Sequence, residues 1–390
     1  MHDVYRLWRR LAGHPLRSGL PDGRQPQLCP RALRRRPRIC SGELRGLSAA
    51  DGGRRLPFVR RGVPGWKVPE GRSAVSSQAR PTAGPRRTAS DFHPEVLRLF
   101  DSYVHGLIDR RGFLERAAKL ATGTTALALL EALNPRFAEA LQVSTTDGRI
   151  HAEYLEIASP SGYGKVRGYL VRPSKPGGKL PAVLVAHENR GLNPHIEDVV
   201  RRLALENFLA FAPDALFPLG GYPGDEDRAR ELFAKLDQAK TREDFLASAS
   251  YLHRHPDGNG RLGVVGFCYG GGIAHFLATR LPDLAASVAF YGSPPPAADA
   301  VRVQASLLVH LAENDDRINA AWPEYEAALK AAHAKLEVHR YPGTQHGFNN
   351  DTTPRYDDAA AKLAWKRTLA FFNRVLRAGS RASGAPSHKS

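Results

Sequence analysis

Cysteine is scarce: three in 390 residues, at positions 29, 40 and 268. Cys29 and Cys40 fall in an arginine-rich opening stretch, which leaves Cys268 alone in the rest of the chain. No internal disulfide can brace that part, and no second thiol stands ready as a metal ligand. The histidines and acids lack metal-site spacing as well, so neither a metal nor another cofactor is expected. Acidic residues are nearly missing from the first ninety positions, where Asp3, Asp22, Glu43, Asp51 and Glu70 face 19 Arg and one Lys, a local charge of +15. The whole chain carries +17, so the remainder is close to neutral at +2, and any nucleic-acid-binding reading rests on the first ninety residues alone. Almost no aromatic side chains are interleaved with those arginines, so bases would find little to stack on. A long apolar run is missing too: residues 120–130 are the nearest approach, too short for a permanent bilayer anchor.

The first ninety residues show no sustained helical or strand periodicity, are broken repeatedly by Pro and Gly, and hold runs such as Arg34-Arg35-Arg36. They read as a disordered extension. Two alternatives stay open: an arm that attracts phosphates electrostatically, and an upstream stretch ahead of a true start near residue 90. From Asp91 the character changes. Val96, Leu97, Phe100, Val104 and Leu107 recur at helical spacing and predict a short amphipathic helix. Asp109-Arg110-Arg111-Gly112-Phe113-Leu114 then resembles the twin-arginine export motif, with the apolar segment 120–130 behind it and Ala138-Glu139-Ala140 as a cleavage site. That resemblance implies the export machinery as a partner and a periplasmic or secreted mature chain, or a cytoplasmic one if the signal goes unused. The alternative is an amphipathic helix packed on the body. Residues 91–140 are thus separated from a body at 141–379 and a short disordered tail at 380–390.

Within the body, strand-like and helix-like segments alternate, which predicts an α/β fold with a mostly parallel central sheet and helices on both faces. Residues 150–157 and 165–171 read as an antiparallel opening pair. The continuous apolar run 182–186 reads as a buried parallel strand, followed by strands at 209–212, 262–266, 286–291, 306–311 and 336–341. Helices are expected at 196–207, 226–237, 241–254, 320–334 and 358–376. Loops past the carboxyl ends of such strands line the ligand crevice, which singles out 187–192, 312–319, 342–350 and the turn around Cys268.

That turn reads Gly266-Phe267-Cys268-Tyr269-Gly270, a nucleophile elbow with cysteine in place of serine. Small residues flank the centre because a sharp strand-to-helix turn brings the facing backbone too close for side chains. The sulfur then sits near a helix N-terminus, where the dipole favours a thiolate. An α/β-hydrolase presents nucleophile, acid and histidine in that chain order, and Cys268, Asp315 and His346 follow it, each just past an expected strand. His346 lies on a loop, whereas His275 and His333 fall in expected helices and His310 within a strand. His339 is on the solvent phase of the last strand, and His187 reads as structural.

With these pieces, Gly-Phe-Cys-Tyr-Gly-Gly, Ala-Glu-Asn-Asp315-Asp-Arg-Ile-Asn, Gln-His346-Gly-Phe and His-Glu188-Asn-Arg-Gly, residues 145–377 resemble the dienelactone hydrolase family. The resemblance implies an α/β-hydrolase fold, a Cys268–His346–Asp315 triad cleaving a small-molecule ester or lactone through a thioester, and the first of the paired aspartates as the triad acid. It implies that Glu188 hydrogen-bonds the resting cysteine and takes part in its activation. Backbone N–H groups of Asn189 and Tyr269 would form the oxyanion hole. The family's carboxylate-clamping arginine, four residues past the histidine, is Asn350 here, with Arg190 and Arg317 as substitutes; Tyr291 is a further pocket candidate. The competing function is a non-catalytic ligand-binding protein on the same scaffold.

Overall fold

A computed structural model describes residues 87–377. The arginine-rich stretch up to residue 86 and the tail from 378 lie outside the described residues. Four helices come first: α1 (Pro94–Val104), α2 (Arg110–Ala117), α3 (Ala126–Leu133) and the short α4 (Phe137–Ala140). Eight strands then make one sheet: β1 (Ile150–Ser159), β2 (Gly164–Pro173), β3 (Leu180–Ala186), β4 (Leu209–Pro213), β5 (Gly258–Phe267), β6 (Ala286–Phe290), β7 (Ser306–Asn314) and β8 (Leu336–Gln345). Their spatial order is β1-β2-β4-β3-β5-β6-β7-β8, antiparallel between β1, β2 and β4 and parallel from β4 to β8. Between them run α5 (Pro194–Leu205), α6 (Glu226–Phe233), α7 (Gln238–His253), α8 (Tyr269–Arg280) and α9 (Asp316–Ala331), and α10 (Asp358–Leu376) follows β8.

The two-residue period of a strand decides which layer each side chain joins. Along β3, Ala182, Leu184 and Ala186 pack into one core, shared with Phe245 and Leu252 of α7, Ile273 and Leu277 of α8 and Trp322 of α9. Val183 and Val185 point the other way, into a core closed by Ile196, Val199 and Leu203 of α5 and Phe371, Phe372 and Leu376 of α10. Because both faces are covered, β3 is buried at every position, which is why its sequence reads as an unbroken apolar run.

Helices α1 to α3 build a third, smaller core from Val96, Leu97, Phe100, Tyr103, Phe113, Leu130 and Leu133. The expected amphipathic helix is α1. The twin-arginine stretch forms the start of α2, N-capped by Asp109, whose side chain accepts from Gly112 N. Phe113 is fully buried against Phe100 and Tyr103, and Arg110 pairs with Asp227 at 2.6 Å. Among the described residues, no helix is long and apolar enough to cross a membrane.

Most expected elements appear within a few residues of their predicted bounds. The helix predicted over 226–237 stops at Phe233, since Asp237 is taken as the N-cap of α7. His333, expected inside a helix, falls beyond the end of α9 with a positive φ of 55°.

Candidate active site

The carboxyl ends of β3, β5, β7 and β8 bring the site together. Phe267 ends β5 and Tyr269 begins α8, so Cys268 alone makes the turn, with φ 54° and ψ −112°, a backbone state that a non-glycine residue holds only where its surroundings over-determine it. The glycines explain how it is held. A Cβ on Gly266 would run into the Gly270 carbonyl, and one on Gly270 into the Ala186 carbonyl at the end of β3. The Cys268 N–H is tied to Phe290 O at 3.1 Å.

His346 follows β8 directly, and its Nδ1 donates to Asp315 Oδ2 at 2.6 Å. Asp315 is fixed in turn as the N-cap of α9, accepting from Ile318 N at 3.4 Å. Its neighbour Asp316 is exposed in the first turn of that helix. Both members of the His346–Asp315 pair are buried, and Tyr291, with φ 40°, packs its ring against the imidazole at 4.9 Å. The remaining nitrogen of His346, Nε2, is buried without a hydrogen-bond partner, and lies within 4.8 Å of the Cys268 sulfur.

A second histidine reaches the sulfur, and sequence reasoning missed it. His105, just past the end of α1, places Nε2 at 3.4 Å from Cys268 Sγ. Its Nδ1 donates to the Asp101 carbonyl at 2.8 Å and lies 3.3 Å from the Asp101 carboxylate. The available signal was the Asp101–His105 spacing of four, which puts an acid and an imidazole on one helix face. Burial opposes ionisation of Cys268, yet the positive charges of His346 and His105 outweigh it and bring the thiol down to about 5. Burial likewise favours a neutral His346, but the thiolate and Asp315 prevail and raise it to about 10. His105 is raised for the same reason, against its own burial, with the Cys268 thiolate as the larger partner and Asp101 second.

Around this centre is a small cavity of ≈ 40 Å³, lined among others by His105, Glu188, Arg190, Cys268, His346 and Asn350. Glu188 is in the expected neighbourhood, but its carboxylate accepts from Asn350 Nδ2 at 2.9 Å, and the hydrogen bond to the resting sulfur comes from His105 instead. Asn350 is therefore the partner of Glu188 in this state. Tyr269, as first residue of α8, has an N–H with no acceptor inside its own helix. Asn189 ties its side chain to α1 through Val104 O at 2.8 Å. Arg190 also lines the cavity, bonded to Asn189 Oδ1 at 2.7 Å and 3.5 Å from Glu226. Two pocket candidates lie elsewhere: Tyr291 packs behind His346, and Arg317 is exposed, bonding Ser293 at 3.0 Å and presenting Nη2 to His105 Nε2 at 3.0 Å. Arg355, which spacing did not single out, lines the cavity over the Phe100 ring and 3.4 Å from Asp101.

The other histidines are structural. His187 accepts from Ala215 N at 3.1 Å, His275 is buried against Trp322 and Tyr325, and His310 is held between Tyr341 and Thr368. His339, expected on the solvent face, is half-buried and stacks on His310 at 6.1 Å. The imidazole and thiol donors of His105, Cys268 and His346 converge through folding and not through sequence spacing. Their ligand atoms lie within 4.8 Å of one another, a set that could hold a metal ion where sequence spacing gave none, with the Arg317 guanidinium 3.0 Å from His105 Nε2 as its cationic neighbour.

A mostly parallel eight-stranded sheet in this order, with an elbow after β5, an acid after β7 and a histidine after β8, defines an α/β-hydrolase. Residues 166–376 match the dienelactone hydrolase family, and the chain belongs to that family as a dienelactone hydrolase-like enzyme. A separate match, described as YqhI-like, covers residues 84–119, the segment that carries α1 and α2. The chain is 36% identical over 245 residues to a Salmonella typhi protein whose name assigns it as a carboxymethylenebutenolidase, spanning 59% of this chain and 90% of that one. It is 58% identical over 113 residues to a hydrolase fragment of Escherichia coli K12 named YghX, spanning 29% of this chain and 97% of the fragment. A crystal structure from Klebsiella pneumoniae, named as that of a dienelactone hydrolase, superposes with a TM-score of 0.52 at 33% identity, covering 57% of this chain and 99% of that one.

Proposed function

We propose that the enzyme hydrolyses a carboxylic ester or lactone through a thioester on Cys268. The observation that carries this reading is a cysteine held at a strained elbow beside a buried histidine whose far nitrogen is bonded to an aspartate at 2.6 Å. The thiolate adds to the carbonyl carbon, and the developing oxyanion is met by backbone N–H groups of Tyr269 and Asn189. The alcohol departs with the proton held by the imidazoles beside the sulfur, leaving a thioester and a neutral His346. His346 Nε2 then takes a proton from the attacking water, and Asp315 stabilises the imidazolium that forms. Cys268→Ala should abolish turnover of a p-nitrophenyl ester, and Cys268→Ser should leave at most weak activity, because the surrounding charges are arranged for a thiolate. Intact mass after rapid mixing should show the acyl group on the wild-type chain only. Full activity in the alanine variant would sink the assignment.

We further infer a preference for uncharged substrates. The clamp position is Asn350, whose amide is spent on Glu188, and the cavity's two arginines already face acids, Arg190 with Glu226 and Arg355 with Asp101. A substrate carboxylate would have to compete with those partners. Neutral esters or lactones should therefore show kcat/KM at least equal to that of carboxylated ones matched in size. A strong preference for the anion would mean that Arg190 or Arg355 changes partners on binding.

A further inference from the structure

We propose that His105, oriented by Asp101 and delivered by the N-terminal helical segment, is a second acid–base catalyst on Cys268: it protonates the departing alcohol, and His346 is left to activate the water. This rests on the reading of Cys268 as nucleophile. Two aspartate–histidine pairs converge on one sulfur, each with Nδ1 turned to its acid and Nε2 turned to the cavity. The rings meet edge to face, with centroids 4.7 Å apart and planes at 84°, so they address the sulfur from different directions. His346 is the more enclosed, with 4% of its side chain exposed against 12% for His105, which places His105 nearer the route by which an alcohol leaves. Arg355, on the loop that follows His346, contacts the Asp101 carboxylate and so ties the second pair to the first.

The protons balance over a turnover. In the resting state Cys268 is a thiolate and a single proton is shared by the two imidazoles beside it, resting on His346 and passing to His105 Nε2 as the substrate is attacked. The sulfur forms a bond to the carbonyl carbon, the carbonyl pair moves to oxygen, and on collapse the C–O bond to the leaving group breaks. The departing oxygen keeps that electron pair and takes the proton from His105 Nε2. Arg317, the exposed cation on α9, stands 3.0 Å from the same nitrogen and donates to the lone pair thus freed. Water then attacks the thioester and loses a proton to His346, the C–S bond breaks, and the thiolate returns with the acid product. The proton now on His346 passes to His105 across the sulfur or by water, since all three atoms lie within 4.8 Å. The groups facing His105 are thus Asp101 from its own helix, Cys268 and His346 from the body, and Arg317 from α9; each has a part in the cycle.

The test compares acylation by two esters of one acid, p-nitrophenyl and ethyl, at a pH where the thiol is ionised and with a chelator present. A nitrophenolate leaves without a proton, whereas an ethoxide does not. His105→Gln should slow acylation by the ethyl ester by about a hundredfold or more and by the p-nitrophenyl ester by less than about tenfold, with hydrolysis of the shared thioester unchanged. Added imidazole should restore the ethyl ester reaction in His105→Ala. Equal losses for both esters, or a matching loss in thioester hydrolysis, would overturn the proposal. If His105→Gln does not fold, Asp101→Asn replaces it: a loss that depends on the leaving group, with a displaced alkaline limb of the pH profile, supports the role, and an unchanged ester ratio overturns it. Activity surviving in Cys268→Ala would instead remove the nucleophile itself, so the two failures are told apart.

Discussion

A thiolate–imidazolium pair exists only between two titrations. Below about 5 the Cys268 sulfur is protonated, and above about 10 His346 has lost the proton that stabilises it. The value of kcat/KM should therefore rise through the lower limit, stay level across neutrality and fall near the upper one, with both limits belonging to the coupled group and not to a single residue. A pH–rate profile with an acid limb near 8 would show that the thiol is not ionised at rest. Asp315→Asn should lower kcat by about 10² to 10⁴ by releasing the tautomer and the orientation of His346, measured against an unchanged melting temperature. These three residues were legible in the sequence because each lies on a loop that follows an expected strand, although β7 and β8 run on to Asn314 and Gln345, past the expected ends at 311 and 341. Glu188 and Asn350 were legible as separate positions only. Their hydrogen bond joins residues 162 apart, and no local pattern carries that information. His105 escaped for the same reason, since its contact with Cys268 spans 163 residues.

Helices α1 and α2 are held to the body by several polar links besides those of Asp101 and His105. Asp227 accepts from both Tyr103 and Arg110, and Asn189 and Arg190 donate to Val104 O. Hydrogen bonds to a charged group contribute about 1.5–3 kcal/mol, while the half-exposed arginine adds less than about 1. Asp227→Ala should accordingly loosen the segment without unfolding the sheet. Hydrogen exchange over residues 94–117 should quicken, β3 and β5 should stay protected, and kcat should fall with the displaced His105. Unchanged exchange in that segment would show that the apolar core around Phe100 and Phe113 suffices. The amphipathic helix was readable from its period, but the period does not say what the apolar face meets, and export and packing ask for the same residues. They make opposite demands on the mature chain, because cleavage after Ala140 would remove His105 together with α1 and α2. Intact mass of native protein decides between them: a start after Ala140 supports export, and a chain that retains residue 105 keeps the second histidine.

The sheet places its reactive loops at one end because β3 to β8 after the antiparallel strands run the same way, and this much followed from alternating apolar runs and helices. The docking of α1 to α3 over that end did not, since it depends on side chains meeting across the finished body. The result is a thiolate in a cavity of ≈ 40 Å³, space for about three water molecules on the usual scale of ≳ 10–15 Å³ each. Such a sulfur is chemically exposed to oxidation at neutral pH while its residue is only partly accessible, under the N-terminal helices. Which oxidants reach it is then a matter of their size. Hydrogen peroxide, little larger than water, should inactivate the enzyme readily, whereas a bulky aromatic disulfide should react slowly despite the ionised thiol, and Asp227→Ala should speed the second far more than the first. Equal rates for both reagents in the wild type would mean that the helices open faster than either one reacts. Otherwise the N-terminal helices act as a molecular sieve for the cysteine they help to ionise.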